Sequence, residues 1–534
     1  MNDLLSVSVA ATQSYKRALT AVQTNISNLN TEGYSRQKVR ISAPGESHTA
    51  LTRSHDSFAE NGLRSANSSL AFEQPGINYA SRVLNLVGSE SSSLTTAFDQ
   101  FFSSAKQLAA DPSADTSRQN FISNSGFLAS RVNAVATELQ EISSNNNAEV
   151  EHRVNQLNGL SSQLVVINEE LAAFSGTNQP PSLLDQRDLV LMKMSSLAKI
   201  DVSFNDGGLA SVNLASPNQT MALVDNVQVK SLSVSPISGS SNMQQIKYDA
   251  SGVNADVTTV TGGSIGGLIS AKASIIDPLI SNLNSMTYTF ATRVNEQHAE
   301  GINPLGAVGV DLFSLGSDTN YAKNISLALT SSDQVAAAGR LKISPADSNT
   351  SAAQASLSYG EDAAWGGSLE NAFTIDFSSA TDYTVTQNGM TTNYSGFDIN
   401  AGVTVGDIKV SFDRAPAALD SFSISQNTNG IGDNSNIIEI AAISDESIFN
   451  GKTLRSFYIN EVGKVSTFND LSKMSADAKQ AVYDNAMSAK DKISGVNLDE
   501  EAAELIRLQQ AYLATAKAMQ AANDVFEQLL RIGI

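Results

Sequence analysis

The chain has 534 residues with 34 Lys plus Arg against 54 Asp plus Glu, and its net charge of -20 argues against nucleic acid as a partner. It has no cysteine and only four histidines, which excludes disulfide frameworks, thiolate metal sites and thiol catalysis, and no cofactor or metal is expected. No run of about 18 apolar residues occurs, so no membrane-inserting helix is expected. The start, MNDLLSVSVAATQSYKR, has no basic residue before Lys16, so a cleaved secretory signal is not expected either.

Glycine and proline break helices, and their absence marks both ends of the chain. The first glycine is Gly33, the first proline is Pro44, and between Gly495 and Gly533 there is neither. In the first stretch, Leu5, Tyr15, Leu19, Val22, Ile26 and Leu29 alternate spacings of three and four, which predicts a heptad seam over 4 to 29. Leu498, Leu505, Leu508, Tyr512, Met519, Phe526 and Leu529 form a second seam over 498 to 530, with Asn497 as its cap and three acids in its first turn.

Between these ends, 57 to about 198 reads as helical. Ser57 with Glu60 is a candidate capping box, and Ser182 with Asp185 opens a later helix behind Pro180 and Pro181. From 200 to 261 the period changes to strand alternation, with Asp206-Gly207-Gly208 as a hairpin turn. Helical spacing returns from Leu268 to about His298, a second strand-rich block spans about 324 to 430, and helices resume near Asn436.

The fold expected is α+β and multidomain. It has a terminal coiled coil from 1–40 and 498–534, an elongated helical bundle from 41–199, 262–323 and 436–497, and inserted β domains at 200–261 and 324–435. Residues 1–40 carry five basic and two acidic side chains and 498–534 carry three and six, so the two ends attract each other. The thirteen large seam residues contribute about 20 to 40 kcal/mol if buried. Ordering some 65 residues costs roughly 65 to 130 kcal/mol in backbone entropy. Two readings follow: ordinary core-facing helices, or segments completed by neighbouring subunits.

The segment Asn25 to Gln37, NISNLNTEGYSRQ, resembles the signature after the first helix in bacterial flagellar axial proteins. SLLDQRD at Ser182 to Asp188, GGSIGGLISAK from Gly262 with RVNEQHAEGINPLG, and the stretch from Ser494 to Leu530 are similar to the hook-associated (FlgK) family. The matched motif positions are Asn25, Asn28, Gly33, Tyr34, Arg36, Asp185, Arg187 and Asp188. The resemblance implies a structural subunit at the hook-filament junction, self-associating in a ring and contacting hook protein and a second junction protein. It also implies export through the flagellum's own channel without a cleaved signal, and an export chaperone on Leu505 to Leu530. The block 324 to 430 carries none of these motifs and is expected to be an outer domain of this chain's own, for which an adhesive role stays open.

Flagellin and the second junction protein are the alternatives within this class. An enzyme would have to be a serine hydrolase, since Gly262 to Gly266 matches G-x-S-x-G around Ser264, with Asp277 and His298 following. About 140 helical residues precede that point, so a glycine-rich corner is the simpler expectation. His48 and His55 lack carboxylates at zinc-ligand spacing in sequence, and Trp365 reads as a small-domain core residue. The residues expected at the assembly surface are Tyr15, Leu19, Val22, Ile26, Leu29, Leu498, Leu505, Leu508, Tyr512, Met519, Phe526 and Leu529.

Overall fold

The computed structural model describes residues 2–40, 50–88, 93–174, 179–215, 220–236, 244–250, 253–257, 260–359, 372–406 and 408–532. His48 and Trp365 lie outside them. Eleven α-helices are found there: α1 (Asn2–Ser27), α2 (Ser57–Val87), α3 (Leu94–Ala110), α4 (Asp115–Ala172), α5 (Pro181–Leu197), α6 (Gly263–Ala271), α7 (Asp277–Ala299), the short α8 (Tyr321–Asn324), α9 (Ser435–Ala442), α10 (Leu454–Ser494) and α11 (Leu498–Ile532). The backbone divides into two compact units. One comprises Met1–Asn85, Leu139–Pro278 and Gly463–Ile534, the other Leu86–Glu138 and Leu279–Val462. The helical stretches that the sequence groups as one domain are shared between them.

In the first unit, β1 (Gln37–Arg40) pairs antiparallel with β2 (Ala50–Arg53), a hairpin that the sequence pattern did not predict. The inserted β region holds a four-stranded sheet over 200–229 and a three-stranded one over 232–257. Two asparagines of α4 attach these sheets. Asn168 Nδ2 donates to the Ala210 carbonyl at 2.8 Å while its Oδ1 accepts from the Ala210 amide. Asn158 does the same for both backbone groups of Leu232. A carboxamide has the donor and acceptor needed to satisfy both backbone groups of one strand residue, which gives this asparagine-rich composition a structural use.

The second unit has an aromatic core in which Phe290 of α7 meets Phe98 and Phe101 of α3 edge-on at 5.2 and 5.5 Å. Residues 301–339, partly assigned to the helical domain from sequence, form turns, two-residue strands and the short α8, with His298 and Asn295 holding Val310 and Leu312. Beyond them lies a β-sandwich. A five-stranded antiparallel sheet takes its strands in the order Leu341–Pro345, Ser421–Gln426, Phe373–Phe377, Asp382–Gln387 and Met390–Ser395. A three-stranded sheet from Ala355–Tyr359, Ile408–Phe412 and Val403–Val405 shares its core of Phe373, Phe377, Val410, Phe412 and Phe422.

Two expected caps are corrected. Asp56, not Ser57, starts α2, its Oδ1 accepting from the Phe58 and Ala59 amides, because Glu60 is drawn into an ion pair instead. α5 opens on Pro181, whose fixed φ suits the first helical position, with no side-chain cap, and Asp185 is used elsewhere. Asn497 does cap α11, accepting from the Asp499 amide at 2.9 Å.

Candidate assembly site at the paired termini

α1 and α11 are both long because neither contains glycine or proline, at about 39 and 52 Å. They run antiparallel: as α1 advances from Ala18 to Asn25, α11 returns from Leu508 to Glu501. Ala18, Val22 and Leu508 are buried together, with Tyr15, Leu19, Ile26, Val39 and Leu505 half-buried around them. Small side chains at Ala18 and Ala21 let the helices approach. Tyr512 and Met519 are half-buried, whereas Leu29, past the end of α1, and Leu498 are exposed. The side chains of Leu5, Phe526 and Leu529 lie outside the described residues. The opposite face of α11 exposes Ile506 and Leu513, one heptad apart at 56% and 59%, beside Ala502, Ala503 and Ala514.

At the closed end of this pair lies a polar knot. Asn25 is 1% exposed and uses its whole carboxamide. Nδ2 donates to the Gln37 carbonyl at 3.0 Å and to Glu501 Oε2 at 2.9 Å, while Oδ1 accepts from the Gln37 amide at 2.9 Å and the Tyr34 hydroxyl at 2.7 Å. Arg36 pairs through Nε with Glu501 at 2.6 Å and through its terminal nitrogen with Glu500 at 2.8 Å, and its amide donates to the Ser494 carbonyl. The turn that delivers these residues passes through Gly33 at φ +78, where an added Cβ would lie 3.3 Å from that of Leu189.

The SLLDQRD segment on α5 continues the knot. Asp185 accepts from the Ser35 amide at 3.2 Å and pairs with Arg53 of β2 at 3.1 Å. Asp188 pairs with Arg53 at 2.5 Å and Arg187 at 2.9 Å, and Arg187 stacks over Phe204 and donates to the Gly208 carbonyl. Glu60 of α2 holds His55 and Arg64. Seven of the eight motif residues therefore meet in one place. Asn28 stands apart, with its Nδ2 bound to the Thr24 carbonyl of its own helix. Sequence reasoning missed Ser35, Arg53, Glu60 and the knot role of Glu501, although an acid on an apolar seam at Glu501 was a visible signal.

Burial, then the charges of Asp185 and Glu501, push the Tyr34 hydroxyl up to about 12, which keeps it a donor. Burial also raises the Asp185 carboxyl, opposed by hydrogen bonds from Ser35 and by Arg53. At Asp188 burial acts in the same sense, but Arg187 and Arg53 outweigh it and hold the carboxyl below its ordinary value. His55, Glu60 and Asp188 bring possible ligand atoms within 4.8 Å of one another. Both acids are already engaged by Arg64, Arg53 and Arg187, so fixed guanidinium groups take the place a cation would need.

The glycine corner has a packing cause. A Cβ on Gly263 would fall 2.3 to 2.4 Å from the backbone of Leu197 and Ala198, and one on Gly267 would meet the Phe72 carbonyl. Ser264 Oγ makes no hydrogen bond, and His298 uses both ring nitrogens on backbone, Nδ1 on the Val310 carbonyl and Nε2 on the Ala336 amide. Both ring nitrogens of His298 are thus held by backbone groups, and the glycines of the corner serve close helix packing.

Residues 80–313 match the model of the flagellar hook-associated protein FlgK helical domain, and 491–532 match the C-terminal model of the flagellar basal body rod FlgEFG proteins. Flagellar hook-associated protein 1 of Salmonella typhimurium is 25% identical over 581 aligned residues, covering 100% of both chains. Its counterpart in Bacillus subtilis is 25% identical over 448 residues, covering 76% of this chain and 84% of that one. The structure of the flagellar hook junction protein FlgK from Burkholderia pseudomallei superposes with a TM-score of 0.70 at 20% identity, over 81% of this chain and 100% of that one, and shows the same fold. Over its whole length the chain is similar to flagellar hook-associated protein 1, and its residues 80–313 match the FlgK helical-domain model.

Proposed function

We propose that the chain is a structural subunit of the bacterial flagellum at the hook-filament junction, and that it assembles through α1 and α11. The observation that carries the assembly reading is the incomplete burial of the terminal pair. Val22 and Leu508 are covered within the chain, while Val7, Val9, Ile506, Leu513 and Val525 stay 38 to 59% exposed on the same two helices. Apolar surface of that extent on a rigid helix pair marks a protein interface. The half-buried Tyr15, Leu19, Ile26, Leu505, Tyr512 and Met519 lie beside it and complete their burial against neighbours.

The partners in this reading are further copies in a ring, hook protein on one side and the second junction protein on the other. An export chaperone covers Leu505 to Leu530 before assembly. Delivery runs through the flagellar channel. Among the described residues no helix is long and apolar enough to cross a membrane.

The test is electron microscopy of a deletion strain, which should bear hooks without filaments, complemented by the wild-type gene and by Leu513→Asp. The variant should be exported, fold, and leave hooks bare. Filaments of normal length on Leu513→Asp would refute assembly through α11, and filaments in the deletion strain would refute the junction role.

A further inference from the structure

The β-sandwich has one edge that none of the usual devices protects. Strand Met390–Ser395 ends the five-stranded sheet, and each of its six residues is exposed. It carries no lysine, no proline and no charge, and its register with Asp382–Gln387 is unbroken by a bulge. Such an edge offers its backbone groups to another strand.

The hairpin geometry says which groups are free. Asn388 and Gly389, at φ 52° and 76°, form a two-residue turn of the type that closes a hydrogen-bonded pair, here Gln387 with Met390. Alternation then turns Thr392 and Tyr394 inward to the ladder and leaves the N–H and C=O of Thr391, Asn393 and Ser395 pointing outward. Among the described residues no strand takes them.

We infer that this edge binds the same edge of a second copy, antiparallel about Asn393. The free groups are spaced symmetrically around that residue. Asn393 facing the partner's Asn393 sets Thr391 opposite the partner's Ser395, so every free donor meets an acceptor. The intervening pairs then join Thr392 to the partner's Tyr394, a β-branched residue against an aromatic one. The chain's net charge of -20 repels a second copy, but the strand itself is neutral, so added salt favours the contact. The contact is independent of the terminal helices.

Sedimentation of the full chain tests this. The wild type should move from 56.3 kDa toward twice that mass as its concentration rises, more so at high salt. Asn393→Pro deletes an outward N–H without touching the hairpin ladder, and Asn393→Lys sets like charges face to face while leaving the fold intact. Both should remain monomeric, and mixing Asn393→Lys with Asn393→Glu should restore the dimer. A wild type that stays monomeric, or a dimer kept in Asn393→Lys but lost in Leu508→Asp, overturns the inference.

Discussion

Replacing Asn25 by alanine should open the polar knot without unfolding the rest of the chain. The carboxamide makes four hydrogen bonds, three to neutral groups of Gln37 and Tyr34 and one to the Glu501 carboxylate, all at a position 1% exposed. A neutral bond contributes roughly 0.5 to 1.5 kcal/mol net and a charged one roughly 1.5 to 3, and the orphaned partners stay buried, so the local cost is about 4 kcal/mol. That corresponds to about a 1,000-fold loss of protection. The assay is native-state amide exchange at Gln37, whose N–H is held by Asn25 Oδ1, and at the first turns of α11. Asn28→Ala is the control, since its bonds stay within one turn, and it should change exchange by less than about tenfold. Exchange at Gln37 in Asn25→Ala within tenfold of wild type would show that the knot does not hold the termini together.

Leu508→Ala should destabilise the terminal pair by about 2 to 5 kcal/mol in denaturant titrations followed on α1 and α11, whereas the exposed Leu513→Ala should stay within about 0.5. Burial lowers the His298 pKa to about 4, so the unfolded imidazole binds a proton that the folded one refuses. Stability from this group is full above about pH 6.5 and falls as pH drops toward 4, and at pH 5 the loss should be about 2 kcal/mol in thermal unfolding compared with pH 7.5. Gly263→Ala, at φ +60 and against backbone, should cost more than about 3 kcal/mol or prevent folding. Gly62→Ala, with nothing within 4 Å on α2, should raise stability by about 0.4 to 1 kcal/mol.

The terminal helices were legible because a heptad repeat uninterrupted by glycine or proline has one regular solution, and the Asn497 cap takes the free amides just after it. The β regions were legible from period alone, as in FTIDF, whose alternate residues Phe373, Ile375 and Phe377 are buried. The β1–β2 hairpin was not, because four-residue strands such as QKVR are too short to show a period. Nor were the ends of α2 and α5 read correctly, for one reason in both cases. Glu60 and Asp185 have the residue type and spacing of local caps, but charged side chains outbid the adjacent amides, His55 and Arg64 at Glu60 and the distant Arg53 at Asp185. Local pattern cannot register a competitor 132 residues away, as Arg53 is from Asp185.

The same competition explains why charge is placed at this point of the chain at all. Arg36, Arg53, Arg64 and Arg187 face Glu60, Asp185, Asp188 and Glu501 in a site that apolar side chains could fill at little loss of stability. The terminal seam needs something that apolar contacts do not supply. With alanines frequent along α11, sliding it by one heptad against α1 would still bury small side chains, so the seam specifies its register weakly. That slide would carry Glu501 about 10 Å from Asn25 and Arg36, removing the Asn25 bond to its carboxylate and the carboxylate held by the Arg36 Nε. The knot therefore fixes where α11 starts relative to α1, and through Asp185 and Arg53 it ties that start to α5 and β2. In the proposed assembly, where a subunit presents Ile506 and Leu513 at a set height to its neighbours, that constraint matters more than additional stability.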